Sequence, residues 1–257
     1  MTTDMLAAAP ARVATPHRFL VLWQSPEDRA YHRVGTLTRD ASGYMFRYTE
    51  TAETVAGFSG FVSFPDFHAE YRSVELFATF ANRVMTPRRD SYEAYVQALG
   101  LTESRPEPFE VLARTLGTRA TDLVQLLPVP TVDDHGILSL YFLVHGSRHV
   151  DPTGAHLAHI DSGDRLFLSP EDGNPVSTVA VLVGSEPEPS PDRALGYVPD
   201  VLGRLVRDLL VAGAPLRAVA EQVNRPSDGR LPDHMRLLVR LDAVLPEELD
   251  IDATLPS

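Results

Sequence analysis

The sequence predicts an α+β fold made of two small domains, an α+β N-terminal module and a compact β-barrel crossed by one helix. Three observations support this interpretation. The chain of 257 residues is long enough for two domains. Its first half mixes short strand-like runs with helical stripes, whereas its second half has many short strands and one long amphipathic stripe. Residues 128–136 join prolines, acidic residues and a glycine between two apolar runs, as a domain boundary does.

These patterns place the N-terminal module at residues 16–130 and the barrel at residues 137–246. Residues 1–15 are small and polar, and residues 247–257 continue past the last apolar strand. Chain ends of this kind are usually poorly ordered. We therefore expect a disordered tail at each end of the chain.

The N-terminal module contains a short apolar run at residues 19–23, which is typical of a buried strand. Two alternating runs flank a polar turn that ends in Gly43, and together they predict a β-hairpin. The remaining elements follow from apolar spacing: helices over 73–84, 92–99 and 109–116, and a strand over 121–127.

The second domain reads as a series of short strands. Apolar runs predict them at residues 137–144, 164–168, 178–183, 195–198, 216–223 and 235–241. A helix begins at Asp200, and its stripe from Val201 to Leu210 faces a core. Short strands with one crossing helix favour a compact barrel.

Two residue types are absent, and each absence excludes a class of chemistry. The chain has no cysteine, which excludes disulfides, thiolate catalysis and cysteine-ligated zinc. It also has no lysine, so all 23 basic residues are arginine. A Walker motif and a Schiff-base enzyme both need a lysine amine, so neither is present in this chain.

Charge is unevenly distributed between the two halves. The net charge is −12, and residues 131–257 carry 10 arginines against 20 acidic residues. Phosphate backbones attract basic surfaces, so nucleic-acid binding by this half needs a local site. The sequence has no secretion signal and no long apolar stretch, and we expect a cytoplasmic protein with no membrane partner.

Four short motifs follow one another in the second half of the sequence. They are Val144-His145-Gly146-Ser147-Arg148-His149, Gly163 to Leu168, Asn174-Pro175 with Val179 to Val181, and Leu195-Gly196-Tyr197-Val198-Pro199 before a helix. Over residues 138–245 this order resembles the HIRAN domain, which occurs in helicase-like transcription factors and in stand-alone bacterial proteins. The resemblance implies an OB-like barrel that captures the 3′-hydroxyl end of single-stranded DNA.

The same resemblance implies a set of binding residues. Gly146 and Arg148 match the strand that faces the terminal nucleotide, and His149 stands where an aromatic stacker is expected. Asn174 matches the asparagine of the Asn-Pro turn. Gly196 and Tyr197 lie at the helix entrance, where a phosphate can meet free N–H groups.

The chain departs from the family pattern at three of its positions. Val176 and Ser177 replace an aromatic residue and an aspartate, and Asp200 replaces a basic residue. The missing aromatic would supply a stacking face, and the missing aspartate would accept a bond from the terminal hydroxyl.

A fainter resemblance covers residues 17–100. The runs at 34–40 and 43–48, Phe64-Pro65 and a Leu-Phe-x-x-Phe-x-Asn-Arg segment at 76–83 are similar to the N-terminal subdomain of HipA-type toxin kinases. The kinase core does not follow, so the resemblance implies a packing module. Tyr71, Phe77, Phe80, Asn82 and Arg83 would then face a partner or the HIRAN-like barrel. In the alternative interpretation, Asn82 and Arg83 cap or solvate the end of their helix.

No catalytic constellation assembles from the sequence. It lacks a Gly-x-Ser-x-Gly elbow and an evident pair of catalytic carboxylates, and the histidines at 145, 149, 156 and 159 do not form a convincing metal site. We therefore expect a non-enzymatic protein with no cofactor and no metal. The first hypothesis is binding of single-stranded DNA, with 3′-end capture. The alternative is an acidic interaction or regulatory module that docks a basic partner such as a helicase, nuclease or toxin.

Overall fold

The computed structural model shows a mixed α+β protein with two antiparallel sheets. It describes residues 13, 15–103, 105–119, 122–225 and 232–257. The predicted N-terminal tail, residues 1–15, lies almost entirely outside these residues. The described chain forms two compact units: an N-terminal unit of residues 15–87, 105–129 and 256–257, and a second unit of residues 88–103 and 130–255.

The second unit includes a segment that the sequence assigns to the first domain. Residues 88–103 contain a helix, α2 (Tyr92–Ala98). At its end the carbonyl of Ala98 accepts a hydrogen bond of 2.9 Å from the side-chain amide of Asn224. Because Asn224 is more than a hundred positions away, an apolar pattern along the chain does not show this grouping.

The N-terminal unit is built on a five-stranded sheet in the order β4-β3-β2-β1-β5. Its strands are β1 (Arg18–Gln24), β2 (Tyr31–Asp40), β3 (Gly43–Tyr48), β4 (Glu70–Ser73) and β5 (Val124–Pro128). The predicted hairpin is confirmed, since Asp40 pairs with Gly43 across a tight turn. The Asp40 carboxylate accepts a 2.7 Å hydrogen bond from the Ser42 N–H, which fixes that turn.

Aromatic side chains fill the core of the N-terminal unit. Phe46 and Phe64 stack with ring centroids 4.4 Å apart, and Phe19 meets Phe109 edge-on at 4.8 Å. Two helices cover this core, α1 (Ala78–Ala81) and α3 (Pro108–Thr115). The helix predicted over 73–84 is shorter than expected because Ser73 ends strand β4 and Phe77 is still extended.

Arg83 has a structural role that both sequence interpretations missed. Its side chain is buried and donates to the carbonyls of Gly117 (2.8 Å) and Val124 (3.0 Å). It also forms an ion pair of 2.7 Å with Asp122. Arg83 therefore ties α1 to the segment that leads into β5, whereas the neighbouring Asn82 is the exposed C-terminal cap of α1.

The second unit contains a seven-stranded antiparallel sheet in the order β10-β9-β8-β11-β12-β7-β6. The strands are β6 (Thr131–Val132), β7 (Ile137–Leu143), β8 (Arg165–Pro170), β9 (Val181–Gly184), β10 (Gly196–Tyr197), β11 (Leu216–Val223) and β12 (Leu237–Val244). Among the described residues the strand ladders do not close into a barrel, so the α+β class of the prediction is confirmed but its closed barrel is wrong. A single isolated bridge, between His145 and Tyr197, joins the chain after β7 to strand β10.

The one long helix of this unit is α5 (Asp200–Val211), as the apolar stripe predicts. Val201, Leu205 and Leu209 are buried on its inner face. The helix passes so close to the chain before β9 that a Cβ on Gly203 would lie 2.5 Å from the Val179 carbonyl oxygen. Two one-turn helices complete the unit, α4 (Ser147–Val150) and α6 (Ile251–Thr254).

The C-terminal residues 247–257 are not a disordered tail, and this prediction is wrong. Helix α6 is capped by the Asp250 carboxylate, which accepts a 2.9 Å hydrogen bond from the Asp252 N–H. Thr254 and Leu255 are buried, which the acidic composition of the segment does not predict. In the described part of the chain, every helix is too short or too polar to cross a membrane.

Candidate functional site

The candidate site surrounds the bridge that joins the chain after β7 to strand β10. The His145 N–H donates to the Tyr197 carbonyl at 2.9 Å, and the Tyr197 N–H donates to the His145 carbonyl at 2.8 Å. This pair holds the chain entering α4 against β10. Four of the six predicted site residues, Gly146, Gly196, Tyr197 and Asn174, lie around it.

Two glycines make this close approach possible. Gly196 has φ +147°, and a Cβ there would lie 2.4 Å from both the His145 carbonyl oxygen and a Val144 methyl carbon. Gly146 has φ +67°, and its missing Cβ would lie 3.1 Å from the ring of Tyr197. Both are therefore required for backbone packing, and Gly146 lets the tyrosine ring rest against the chain.

The phenol of Tyr197 belongs to a three-residue cluster with Glu171 and Asn174. The Glu171 and Asn174 side chains lie near the phenol and both act on its pKa, and the Asn174 amide N–H donates a hydrogen bond to the Glu171 carboxylate. The side-chain carbonyl oxygen of Asn174 accepts hydrogen bonds from the backbone N–H groups of Val176 (2.9 Å) and Ser177 (3.0 Å). Asn174 thus forms the predicted turn and at the same time orients the carboxylate.

This arrangement sets the protonation of the cluster. Burial raises the pKa of Tyr197, the Glu171 carboxylate raises it further, and the Asn174 hydrogen bond opposes them. The phenol is therefore a hydrogen-bond donor at neutral pH, and the partly exposed Glu171 is an acceptor. The cluster offers a ligand one aromatic ring and one carboxylate at the same place.

Glu171 is the residue that the sequence interpretation missed. The expected acceptor, an aspartate after the Asn-Pro turn, is replaced by Ser177, whereas Glu171 lies three residues before Asn174. The available signal was the alternation of β8, in which Leu166 and Leu168 are buried. Continuing that alternation puts residue 171 on the outward face, where Tyr197 also lies.

Arg148 and His149 do not lie on a strand, so that expectation is wrong. Gly146, in a left-handed conformation, ends the extended chain, and residues 147–150 form the single turn α4. Both side chains are exposed, and the Arg148 Nε–H donates to His149 Nε2 at 3.2 Å. Among the described residues, no hydrogen bond joins this pair to the Tyr197 cluster, although α4 contacts β10.

Arg148 differs in its pairing from several other arginines of this unit. Arg193, Arg207, Arg225 and Arg240 each contact a carboxylate within 4 Å. Within the described residues, Arg148 has no carboxylate partner, and its bond to His149 leaves both terminal nitrogens available. In a unit this acidic, an unpaired guanidinium beside β10 is a local site for an anion.

His145 remains neutral at physiological pH. Burial lowers its pKa to about 4; His234 adds to this effect, and Asp200 opposes it. Asp200 lies in the first turn of α5, where it places a negative charge at the predicted phosphate position. The entrance of this helix is therefore less suited to an anion than the sequence motif suggests.

Comparisons with known proteins give two structural matches. The crystal structure of a structural-genomics protein from Lactobacillus plantarum is 20% identical, covers 45% of this chain and 93% of its own, and has a TM-score of 0.31. The crystal structure of the HIRAN domain of human HLTF is 16% identical, covers 47% of this chain and 84% of its own, and has a TM-score of 0.30. No family model and no curated protein matches the chain. A HIRAN domain, the family that the motifs resemble, is thus among the matches.

Proposed function

We propose that the second unit is a non-catalytic binding module for single-stranded nucleic acid, and that the Tyr197 cluster holds the terminal nucleotide. The convergence of Tyr197, Glu171 and Asn174 carries the proposal. It places an aromatic ring beside a carboxylate that Asn174 orients, in a small β-sheet domain. Aromatic rings beside polar groups on such sheets are typical of single-strand binding surfaces.

The carboxylate of Glu171 makes a terminal hydroxyl the preferred end. Asn174 donates a hydrogen bond to it, and the Tyr197 hydroxyl lies near it. Since a carboxylate has about four acceptor positions, it can also accept the O–H of a terminal 3′-hydroxyl. A 3′-phosphate would instead bring two like charges together in a partly buried place, which is unfavourable. The expected ligand is therefore a single strand with a free 3′-hydroxyl.

Arg148 supplies the positive charge that this acidic unit otherwise lacks at the site. Its planar guanidinium can bind a backbone phosphate with its two terminal nitrogens. The His149 ring is exposed beside it and accepts the Arg148 hydrogen bond, so the ring is available as a stacking surface. Together the two residues would hold the strand next to its end.

Fluorescence anisotropy of labelled oligothymidine tests this function. Strands ending in a 3′-hydroxyl or a 3′-phosphate are compared at low salt, for the wild type, Arg148→Ala and Arg204→Ala. Arg204 is a matched control because it is equally exposed but pairs with Asp208 on α5. We expect tighter binding of the hydroxyl end, several-fold weaker binding by Arg148→Ala, and no change for Arg204→Ala.

Absence of binding by the wild type at low salt would overturn the proposal, because electrostatic attraction is strongest under those conditions. The hypothesis that remains in that case is docking of a basic protein partner onto the acidic surface.

A further inference from the structure

The outward face of strand β8 leads directly to the Tyr197 cluster. Leu166 and Leu168 point into the core, so Arg165, Phe167 and Ser169 lie on the opposite face. The Glu171 N–H donates to the Ala180 carbonyl at 3.0 Å and extends the β8–β9 pairing by one residue. The carboxylate of the cluster is therefore the next outward side chain after Ser169.

Cross-strand register puts Tyr197 on this same face. Ser169 pairs with Leu182 in the β8–β9 ladder, and Leu182 pairs with Tyr197 in the β9–β10 ladder. Directly opposed residues of a sheet point to the same side. The face thus runs from Arg165 along β8 and ends at the cluster.

Arg165 and Phe167 form a stacked pair at the far end of this face. The Arg165 guanidinium carbon lies 5.2 Å from the centroid of the Phe167 ring. Arg165 is exposed and Phe167 is partly exposed. Like Arg148, Arg165 has no carboxylate partner within the described residues, whereas Arg193, Arg225 and Arg240 do.

We propose that the Arg165–Phe167 pair is a second contact for the strand whose 3′ end lies at Tyr197, and this inference rests on the proposed function. Phe167 and Glu171 are four positions apart, a distance of roughly 13 Å along an extended strand. The bound nucleic acid follows β8, with its 5′ side toward Arg165. A base stacks on Phe167, and Arg165 contacts the adjacent phosphate.

This placement explains an otherwise unfavourable combination of residues. A phenylalanine on the outward face of a strand exposes apolar surface, and an unpaired arginine on a strand of an acidic unit forgoes an available ion pair. Single-strand binding surfaces use both groups, because every base has a stacking face and every nucleotide has a phosphate. The Arg165–Phe167 pair and the Tyr197 cluster would together fix the direction of the bound nucleic acid as well as the position of its 3′ end.

Binding measured with oligothymidines of two lengths tests the inference. A dinucleotide reaches only the Tyr197 cluster, whereas a strand of about ten nucleotides also reaches β8. Anisotropy and competition are measured for the wild type, Arg165→Gln, Phe167→Leu and Phe167→Tyr, with Arg204→Gln as the exposed control arginine. Phe167→Leu keeps an apolar side chain but removes the stacking face, and Phe167→Tyr restores that face.

We expect Arg165→Gln and Phe167→Leu to weaken binding of the long strand about fivefold or more and to leave the dinucleotide unchanged. Phe167→Tyr and Arg204→Gln should bind like the wild type. Unchanged long-strand affinity in both Arg165→Gln and Phe167→Leu overturns this inference alone, and so does an equal loss for both lengths. Failure of the wild type to bind either strand overturns the proposed function and this inference with it. Arg165→Gln decides the matter if Phe167→Leu does not fold.

Discussion

The backbones of His145 and Tyr197 exchange two hydrogen bonds, of 2.9 and 2.8 Å, although the residues are 52 positions apart in the sequence. This pair links the chain after β7, the last strand but one of the sheet order, to β10, the strand at the opposite end. It places Gly146 against the Tyr197 ring and brings α4 next to β10. The candidate site therefore depends on one bridge and on the two glycines beside it.

Gly196→Ala should destabilise the second unit strongly. The added Cβ would lie 2.4 Å from the His145 carbonyl oxygen at a φ of +147°, so the bridge must open or shift. We expect a loss of about 2 kcal/mol or more, measured by urea unfolding followed by far-UV circular dichroism. Gly213→Ala is the control, since that glycine has φ +64° with nothing within 4 Å of its Cβ position, and it should lose only about 1 kcal/mol. Equal losses would show that steric contact at the bridge is unimportant.

His145 should make stability depend on pH between about 4 and 6.5. Its pKa in the folded protein is about 4, below the ordinary value of 6.5, mainly because it is buried. The unfolded state then binds more protons in this window, so stability is complete above pH 6.5 and falls as the pH decreases toward 4. His145→Gln should reduce the change in the free energy of unfolding between pH 6.5 and pH 4 by about 2–3 kcal/mol, measured by urea unfolding at several pH values. If the unfolding free energy of the variant depends on pH as that of the wild type does, His145 is not the cause of the pH dependence.

Tyr197→Phe should separate the contribution of the Tyr197 hydroxyl from that of its aromatic ring. The variant keeps the ring that packs on Gly146 but loses the hydroxyl that lies near Glu171 and Asn174. We expect unfolding free energy to change by less than about 1.5 kcal/mol, because one partly exposed hydrogen-bonding group is removed. Affinity for a 3′-hydroxyl oligothymidine should fall several-fold, measured by anisotropy. Wild-type affinity in a folded variant would exclude the phenol from recognition.

Arg83→Met should destabilise the N-terminal unit by about 2–3 kcal/mol, since two buried carbonyls and Asp122 lose their donor. Trp23, the single tryptophan of the chain, lies in β1 and reports unfolding of this unit by fluorescence. Arg72→Ala is the matched control, because Arg72 is exposed and pairs with Glu70 at the surface. A loss below about 1 kcal/mol for Arg83→Met would place Arg83 outside the structural core.

The sequence predicts the elements of this fold better than their assembly. Apolar spacing was sufficient for β1, for the hairpin at Asp40–Gly43 and for helix α5, because each is defined by neighbouring residues. Open ladders in place of a closed barrel, and the grouping of α2 with the second unit, depend on long-range contacts such as Asn224 with Ala98. Such contacts have no local signature.

The candidate site was predictable to a similar degree. Motif order brought Gly146, Asn174, Gly196 and Tyr197 together, because turns and glycine positions are recognisable in a sequence. Glu171 was missed because its importance comes from the register between β8, β9 and β10. The resemblance of the N-terminal unit to HipA-type subdomains stays a prediction.

Glu171→Gln in the full chain tests the central claim most directly, because glutamine keeps the size and one acceptor of the side chain but removes its charge. The measurement is the ratio of affinities for oligothymidine ending in a 3′-hydroxyl and in a 3′-phosphate, by anisotropy at low salt. We predict that the wild type favours the hydroxyl end and that Glu171→Gln loses most of this preference, chiefly by binding the phosphate end more tightly. An identical ratio in both proteins would contradict the claim that this carboxylate selects the end of the strand.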